Sequence, residues 1–126
     1  KNHLDATYEE GWALQNLGKL DEALQRYEQV TEEDTENLEV AAKSRFMIGE
    51  IYFEKKDHPK AIIQFFLVAK GYGYPQWQAN AYYEAARCFE VLKKTEQALQ
   101  SYREVLKYAE SDKRPLAEER IKALGG

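Results

Sequence analysis

The sequence predicts an all-α fold, a right-handed α-solenoid of three helix-turn-helix repeats that ends in a capping helix. In three stretches, a small residue precedes a large apolar residue, an Ala, an aromatic residue and a Val at fixed distances. The three copies are Gly11-Leu14-Ala23-Tyr27-Val30, Gly49-Tyr52-Ala61-Phe65-Val68 and Ala86-Phe89-Ala98-Tyr102-Val105. They lie 38 and 37 residues apart, and a fixed period of this size is typical of stacked helical pairs. Within each copy the apolar residues recur at three and four residues, which indicates helices and excludes strands.

Each copy is expected to form two antiparallel helices. The predicted helices cover about 5–17, 20–31, 36–55, 59–70, 76–92 and 95–109. Gly18 breaks the first pair, and Pro59 suits the first turn of the fourth helix because its missing N–H costs nothing there. Gly71 and Gly73 are expected to end that helix, since glycine tolerates the left-handed conformation. The acidic run from Glu32 to Glu36 is expected to favour the N-terminus of the third helix.

A seventh helix is expected after Pro115, with an apolar stripe of Ala117, Ile121 and Leu124 among charged residues. A solenoid needs such a helix, since its last repeat otherwise leaves an apolar face in water. The chain is therefore predicted to be one domain, 1–126, with repeats at about 4–37, 38–75 and 76–112 and a capping helix at 114–124. Because Lys1 stands where a Met is expected, we also expect it to be a fragment of a longer chain.

The small residues are expected to let the paired helices approach closely. Gly11, Gly49 and Ala86 are predicted to meet the Ala of the second helix. The aromatic residues Tyr27, Phe65 and Tyr102 are predicted to point away, towards the following repeat.

The pattern resembles the tetratricopeptide repeat over about residues 4–109, and the last helix is similar to the family's solvating helix. This resemblance implies a protein-interaction module and no enzymatic activity. The family's usual period is 34 residues. The longer period here resembles bacterial cell-envelope members such as the Tol-Pal accessory protein, which implies a periplasmic or cell-envelope location, with the cytoplasm as the alternative. The chaperone-binding branch holds a C-terminal carboxylate with basic residues, and those places are filled here by Tyr8, Trp12, Met47, Asn80 and Glu84, so that ligand is not expected.

Composition narrows the class of partner. The net charge of −4 argues against a sequence-independent grip on nucleic acid. No run of 18 apolar residues is present, so no membrane span is expected.

The single Cys88 is expected to be a small core residue, because a reactive thiol needs a nearby base and an opening. No two-His motif, Cys pair or nucleophile elbow is present, and no catalytic residue, metal or other cofactor is implied.

The candidate binding site is the concave side, which the first helices of such pairs line. Counting from each small residue gives three rows: Tyr8, Phe46 and Tyr83; Trp12, Glu50 and Arg87; and Gln15, Phe53 and Glu90. Exposed aromatic residues at the repeat spacing are typical of interaction surfaces. We therefore expect an aromatic-lined groove that binds a peptide segment of another protein.

Several alternatives stay open at this stage. The helices can curl and bury the aromatic row. Glu50 and Arg87 can fix the register of a bound segment or can pair with each other. The groove or an end face can instead serve self-association into a homo-oligomer, or packing within a larger protein as a structural scaffold.

Overall fold

A computed structural model of the protein describes residues 2–126, so Lys1, where the predicted domain begins, lies outside the described residues. Seven helices and no strand are found in this part of the chain. They are α1 (Asn2–Asn16), α2 (Leu20–Glu33), α3 (Glu39–Glu54), α4 (His58–Gly71), α5 (Pro75–Val91), α6 (Thr95–Val105) and α7 (Arg114–Ala123). The predicted all-α repeat architecture is confirmed.

The helices pack in sequence order, with α1 against α2, α3 against α4 and α5 against α6. Each pair also contacts the next, and α7 covers α6. In addition, α1 contacts α3 and α3 contacts α5, whereas no comparable contact joins α2 to α4 or α4 to α6 within residues 2–126. The first helices of the pairs therefore lie on the inside of the curve and the second helices on its outside.

Several helix boundaries differ from the prediction: α1 begins at Asn2 and not near 5, and two others have a clear structural cause. Helix α3 begins at Glu39, because the Asp34 carboxylate accepts hydrogen bonds from the backbone N–H groups of Asn37 and Leu38 and holds the connector as a turn. Helix α6 ends at Val105 and not near 109, since the next backbone N–H groups bond three residues back in tight turns. The predicted role of the acidic run does not hold for Glu32 and Glu33, which lie in the last turn of α2, and only Asp34 and Glu36 lie in the connector before α3.

The glycines of the first helices make room for aromatic rings. A Cβ atom placed on Gly11 would lie 2.8 Å from the Tyr27 ring, and one placed on Gly49 would lie 2.6 Å from the Phe65 ring. Both rings are fully buried. The paired helices therefore do approach closely at these glycines, and an aromatic ring fills the space beside each glycine. The prediction that these aromatic residues point away from the small residues is wrong, although Tyr27 and Phe65 also belong to buried clusters that include residues of the following pair.

The turn between the helices of each pair has one geometry, and it occurs again after α7. Gly18, Lys56, Lys93 and Gly125 all have positive φ. In each turn the next backbone N–H bonds to the carbonyl five residues earlier, as Schellman motifs do. Gly71 and Gly73 do not have positive φ, so their predicted left-handed conformation is wrong.

Helix α7 therefore stands where the first helix of a further pair would stand. Glu118 lies seven residues before Gly125, the distance that separates Gly11 from Gly18, and it is exposed. A carboxylate thus occupies the position at which the other first helices have a small residue under a ring. The side of α7 that packs on α6 is apolar, and Ala117 is fully buried there. This polarity is what a helix at the end of a solenoid requires.

Candidate protein-binding groove

The first helices, on the inside of the curve, carry all nine predicted groove residues, but the structure gives these residues different roles. Trp12 is exposed, with 48% of its surface accessible. Arg87 is also exposed, and Glu50, Phe53 and Tyr83 are half-buried. These five side chains remain available to a bound segment.

The aromatic row is largely part of the core. Tyr8 is 7% exposed and its ring lies 5.6 Å from that of Tyr27. Phe46 is 6% exposed and lies between the rings of Phe65 and Trp77, at 5.4 and 5.3 Å. The expectation of an exposed row is therefore wrong for Tyr8 and Phe46. Each of them is three residues before a glycine, and residues three apart share a helix face, so both face the same ring as the glycine does.

The third row completes the packing of the buried aromatic residues. Gln15 accepts a hydrogen bond of 2.7 Å from the Tyr27 hydroxyl, and Glu90 accepts one from the Tyr102 hydroxyl. In the second copy the ring is Phe65, which has no hydroxyl, and Phe53 packs against its cluster. The acceptor and the hydroxyl are thus present or absent together, because a buried hydroxyl needs a partner.

Charged groups in the middle of the groove interact across α3 and α5. Arg87 pairs with Glu84 at 2.7 Å and lies 4.8 Å from the centre of the Phe53 ring. It does not pair with Glu50, so the alternative of a Glu50–Arg87 pair is wrong. The Glu50 carboxyl makes no hydrogen bond or ion pair in the described part of the chain, and burial, together with the charge of Glu84, raises its pKa to about 7.

A concavity of about 230 Å³ closes the groove at its C-terminal end. Predicted residues Phe53, Tyr83, Arg87 and Glu90 line it. The prediction missed Val91, Tyr102 and, above all, Arg120 of α7, which holds the Glu90 carboxylate with two hydrogen bonds of 2.6 and 3.0 Å. The two hydrogen bonds and the charge of Arg120 keep the pKa of Glu90 below its usual value.

Cys88 and His58, the other side chains with reactive groups, pack against neighbouring residues. Cys88 is fully buried, and burial raises the pKa of its thiol to about 12. The His58 ring stands edge-on to that of Phe53 at 4.9 Å. Within residues 2–126, no three His, Cys, Asp or Glu side chains are grouped so that they could hold a metal ion. No helix in this range has both the length and the apolar character needed to cross a bilayer.

The repeats that the helix pairs form are also recognised in the sequence by comparison with known families. One profile described as tetratricopeptide repeat matches residues 8–76, and a second with the same description matches residues 80–111. The chain belongs to the tetratricopeptide repeat family. Repeats of this family generally mediate protein–protein interaction, and their fold is typically a non-enzymatic scaffold.

Solved structures agree with this assignment. The chain is similar to the crystal structure of nearly identical TPR-like repeats from a candidate kinesin light chain of Podosopora anserina, with a TM-score of 0.71 at 14% identity. A single-substitution variant of that protein gives 0.72 at 15%. In both cases 97% of this chain is covered, and it spans 65% of the other chain. At this identity the likeness shows the fold alone.

No curated protein matches the sequence. The comparisons give no support to the predicted resemblance to Tol-Pal accessory and other cell-envelope proteins.

Proposed function

We propose that the groove binds a segment of another protein, in extended or helical form, with Trp12 as its anchor. The exposure of Trp12 carries this proposal. A tryptophan with about half of its surface in water gains free energy when a partner covers it, and tryptophan is among the residues that dominate interface energies. Its position on the inner side of α1 opens onto the surface that Glu50 and Arg87 share.

The charges of the groove define the partner further. The half-buried Glu50 carboxyl has no cation within 4.0 Å among residues 3–126, although the charges of Arg87 and Lys113 act on it from farther away, and Arg87 itself pairs with Glu84. A Lys or Arg side chain of the bound segment would compensate the Glu50 charge. We therefore infer a segment that combines an apolar residue for Trp12 with a basic residue for Glu50.

The test begins by finding the segment. A photo-crosslinking amino acid placed at Asn16, at the end of α1, should capture it, whereas the same amino acid at Gln25, on the outside of α2, should not. A peptide of the captured sequence is then measured by calorimetry. We expect a dissociation constant on the order of micromolar, because flexible segments lose entropy on binding.

Trp12→Ala should weaken binding of that peptide at least tenfold, and Glu50→Gln should weaken it less. The matched control is Leu17→Ala, which removes an exposed apolar side chain at the α1–α2 turn and should leave affinity unchanged. Because Trp12 and Leu17 are both exposed, both variants should melt within a few degrees of the wild type. Unchanged affinity in Trp12→Ala would refute the role of the groove.

The second candidate function is self-association, for which the exposed apolar residues give some basis. Sedimentation over a range of protein concentrations distinguishes it from capture of a partner. A monomer at all concentrations would exclude it, whereas a dimer that Trp12→Ala dissociates would replace the partner with a second copy of the chain.

A further inference from the structure

The three repeats provide an internal comparison of their outward faces. Two positions of the second helices, two and six residues after the template Ala, face away from the core. In the first and third repeats they carry polar residues, Gln25 and Gln29 in α2 and Gln100 and Glu104 in α6. In the second repeat they carry Ile63 and Leu67, which are 58% and 43% exposed.

The fold does not require this apolar pair. The same backbone positions accept Gln or Glu in the neighbouring repeats, and neither Ile63 nor Leu67 is buried against any part of the described chain. Since they are four residues apart, they lie together on one face of α4. Phe66, three residues after Ile63, extends this face and is itself half-buried.

A groove of about 490 Å³ lies beside this apolar face, between α4 and α6. Phe66 and Tyr82 line it, with their ring centres 6.2 Å apart. The apolar face and the groove are therefore continuous through Phe66. We call the combination the outer α4 surface.

The rim of the outer α4 surface is basic. Lys70 lies 5.3 Å from the centre of the Phe66 ring, and Arg103 lines the groove beside it. Neither has a carboxylate within 4.0 Å among residues 3–126. Lys107, also on the rim, pairs with Glu104 at 2.8 Å. Two cations next to an apolar stripe are thus left without a partner in a chain whose net charge is −4.

We propose that the outer α4 surface docks an amphipathic helix of another protein, whose apolar stripe covers Ile63 and Leu67 and whose acidic residues face Lys70 and Arg103. Such a helix matches both the stripe and the charge. A concave groove suits the side chains of a helix better than a flat bilayer. A two-fold pair of copies through this surface would bring the same cations together, since each copy presents the same patch. This site lies on the opposite side of the solenoid from the Trp12 groove.

Defined probes test the proposal on the whole chain. One is a synthetic 14-residue helix with Leu at every third or fourth position and Glu beside the stripe, and its twin has Lys in place of each Glu. We expect the Glu peptide to bind at least tenfold more tightly than the Lys twin, as measured by fluorescence anisotropy. Amide shift changes in NMR spectra should map to α4 and α6.

The decisive variant is the double substitution Ile63→Gln and Leu67→Gln, which copies the residues of the first repeat. It should keep the melting temperature within a few degrees and lose at least tenfold in affinity for the Glu peptide. Arg103→Glu should reduce the preference for the Glu peptide over the Lys twin. Trp12→Ala should change neither result, which separates this site from the groove.

Four results would overturn the proposal. Equal affinity for the two peptides, or affinity unchanged in the double variant, would show that the outer α4 surface is not the site. Binding to phosphatidylcholine–phosphatidylglycerol vesicles that the double variant abolishes, with no binding of the Glu peptide, would identify a membrane instead. Sedimentation as a dimer that the double variant dissociates would identify a second copy.

Discussion

Replacing Gly49 by leucine should test how the helix pairs are held together. The added Cβ alone would lie 2.6 Å from Cε1 and 2.8 Å from Cζ of Phe65, well inside van der Waals contact. The ring cannot move away easily, because it is fully buried and packs against Phe46 at 5.4 Å. Either α3 and α4 must separate or the ring must leave its place.

The expected change in the free energy of unfolding is the difference between two opposing effects. Overpacking of a core costs about 1–3 kcal/mol, and leucine is at the upper end because it adds three further carbons. Replacing glycine inside a helix returns about 0.8–1 kcal/mol. The net loss should be about 2 kcal/mol. For a chain of this size, that corresponds to a fall in melting temperature of roughly 6–10 °C.

Urea unfolding followed by circular dichroism measures the free energy, with Gly49→Ala and Gly71→Ala as companions. Gly49→Ala should lose about 1 kcal/mol, since it has the same Cβ contact and a smaller side chain. Gly71→Ala makes the same chemical change at the end of α4, where a Cβ would meet no atom within 4 Å, and should not destabilise.

A double variant shows whether the Phe65 ring is the cause. Phe65→Leu shortens the side chain that the new Cβ meets, so Gly49→Ala should cost less in this background than in the wild type. A coupling free energy of about 1 kcal/mol is expected for residues in direct contact. A Gly49→Leu protein as stable as the wild type, or strictly additive effects in the double variant, would refute the ring-on-glycine packing.

Three further predictions concern titration and α7. Because burial raises the pKa of Glu50 to about 7, its charged form destabilises the fold above that pH, and stability should fall as pH rises from 4.5 through 7. Glu50→Gln should therefore be more stable than the wild type at pH 8, by on the order of 1–2 kcal/mol, and equal to it near pH 4; a carboxyl carbon that titrates near 4.5 in NMR spectra would contradict this. The Cys88 thiol should react with iodoacetamide only in denaturant, and labelling of the folded protein at the rate of a free thiol would show that it is accessible. Arg120→Ala should accelerate amide hydrogen exchange in α7, since Arg120 holds Glu90, whereas Lys107→Ala, which breaks an exposed pair, should not; equal exchange in both would remove the tethering role of Arg120.

The periodicity of the sequence was sufficient to predict the helices, because each copy repeats one local pattern and tertiary packing follows it. The boundaries at Glu39 and Val105 were missed, since they depend on how single connectors satisfy their backbone groups. Asp34 illustrates this: it resembles part of an acidic run, but its side chain closes a turn.

The groove was predicted less well, for a geometric reason. Counting three residues back from a glycine stays on the face that meets the second helix, so Tyr8 and Phe46 became core residues. Counting one residue forward turns the side chain by about 100°, and Trp12 and Arg87 are exposed as expected. The contact between Arg120 and Glu90 joins residues 30 positions apart, and no local pattern contains it.

The three copies differ from one another in two ways. In some positions the contacting residue changes as well, and in others it does not. The Tyr27 hydroxyl bonds to Gln15, and the Tyr102 hydroxyl bonds to Glu90. Phe65 has no hydroxyl and has Phe53 beside it, so these differences preserve packing. Ile63 and Leu67 replace polar residues with no compensating change around them in the described chain. An apolar change that stays in water brings the fold no stability, and this is the basis for the proposed docking surface. In a repeat protein each copy can be compared with the others, and in this chain the outward face of the second repeat is the one that differs.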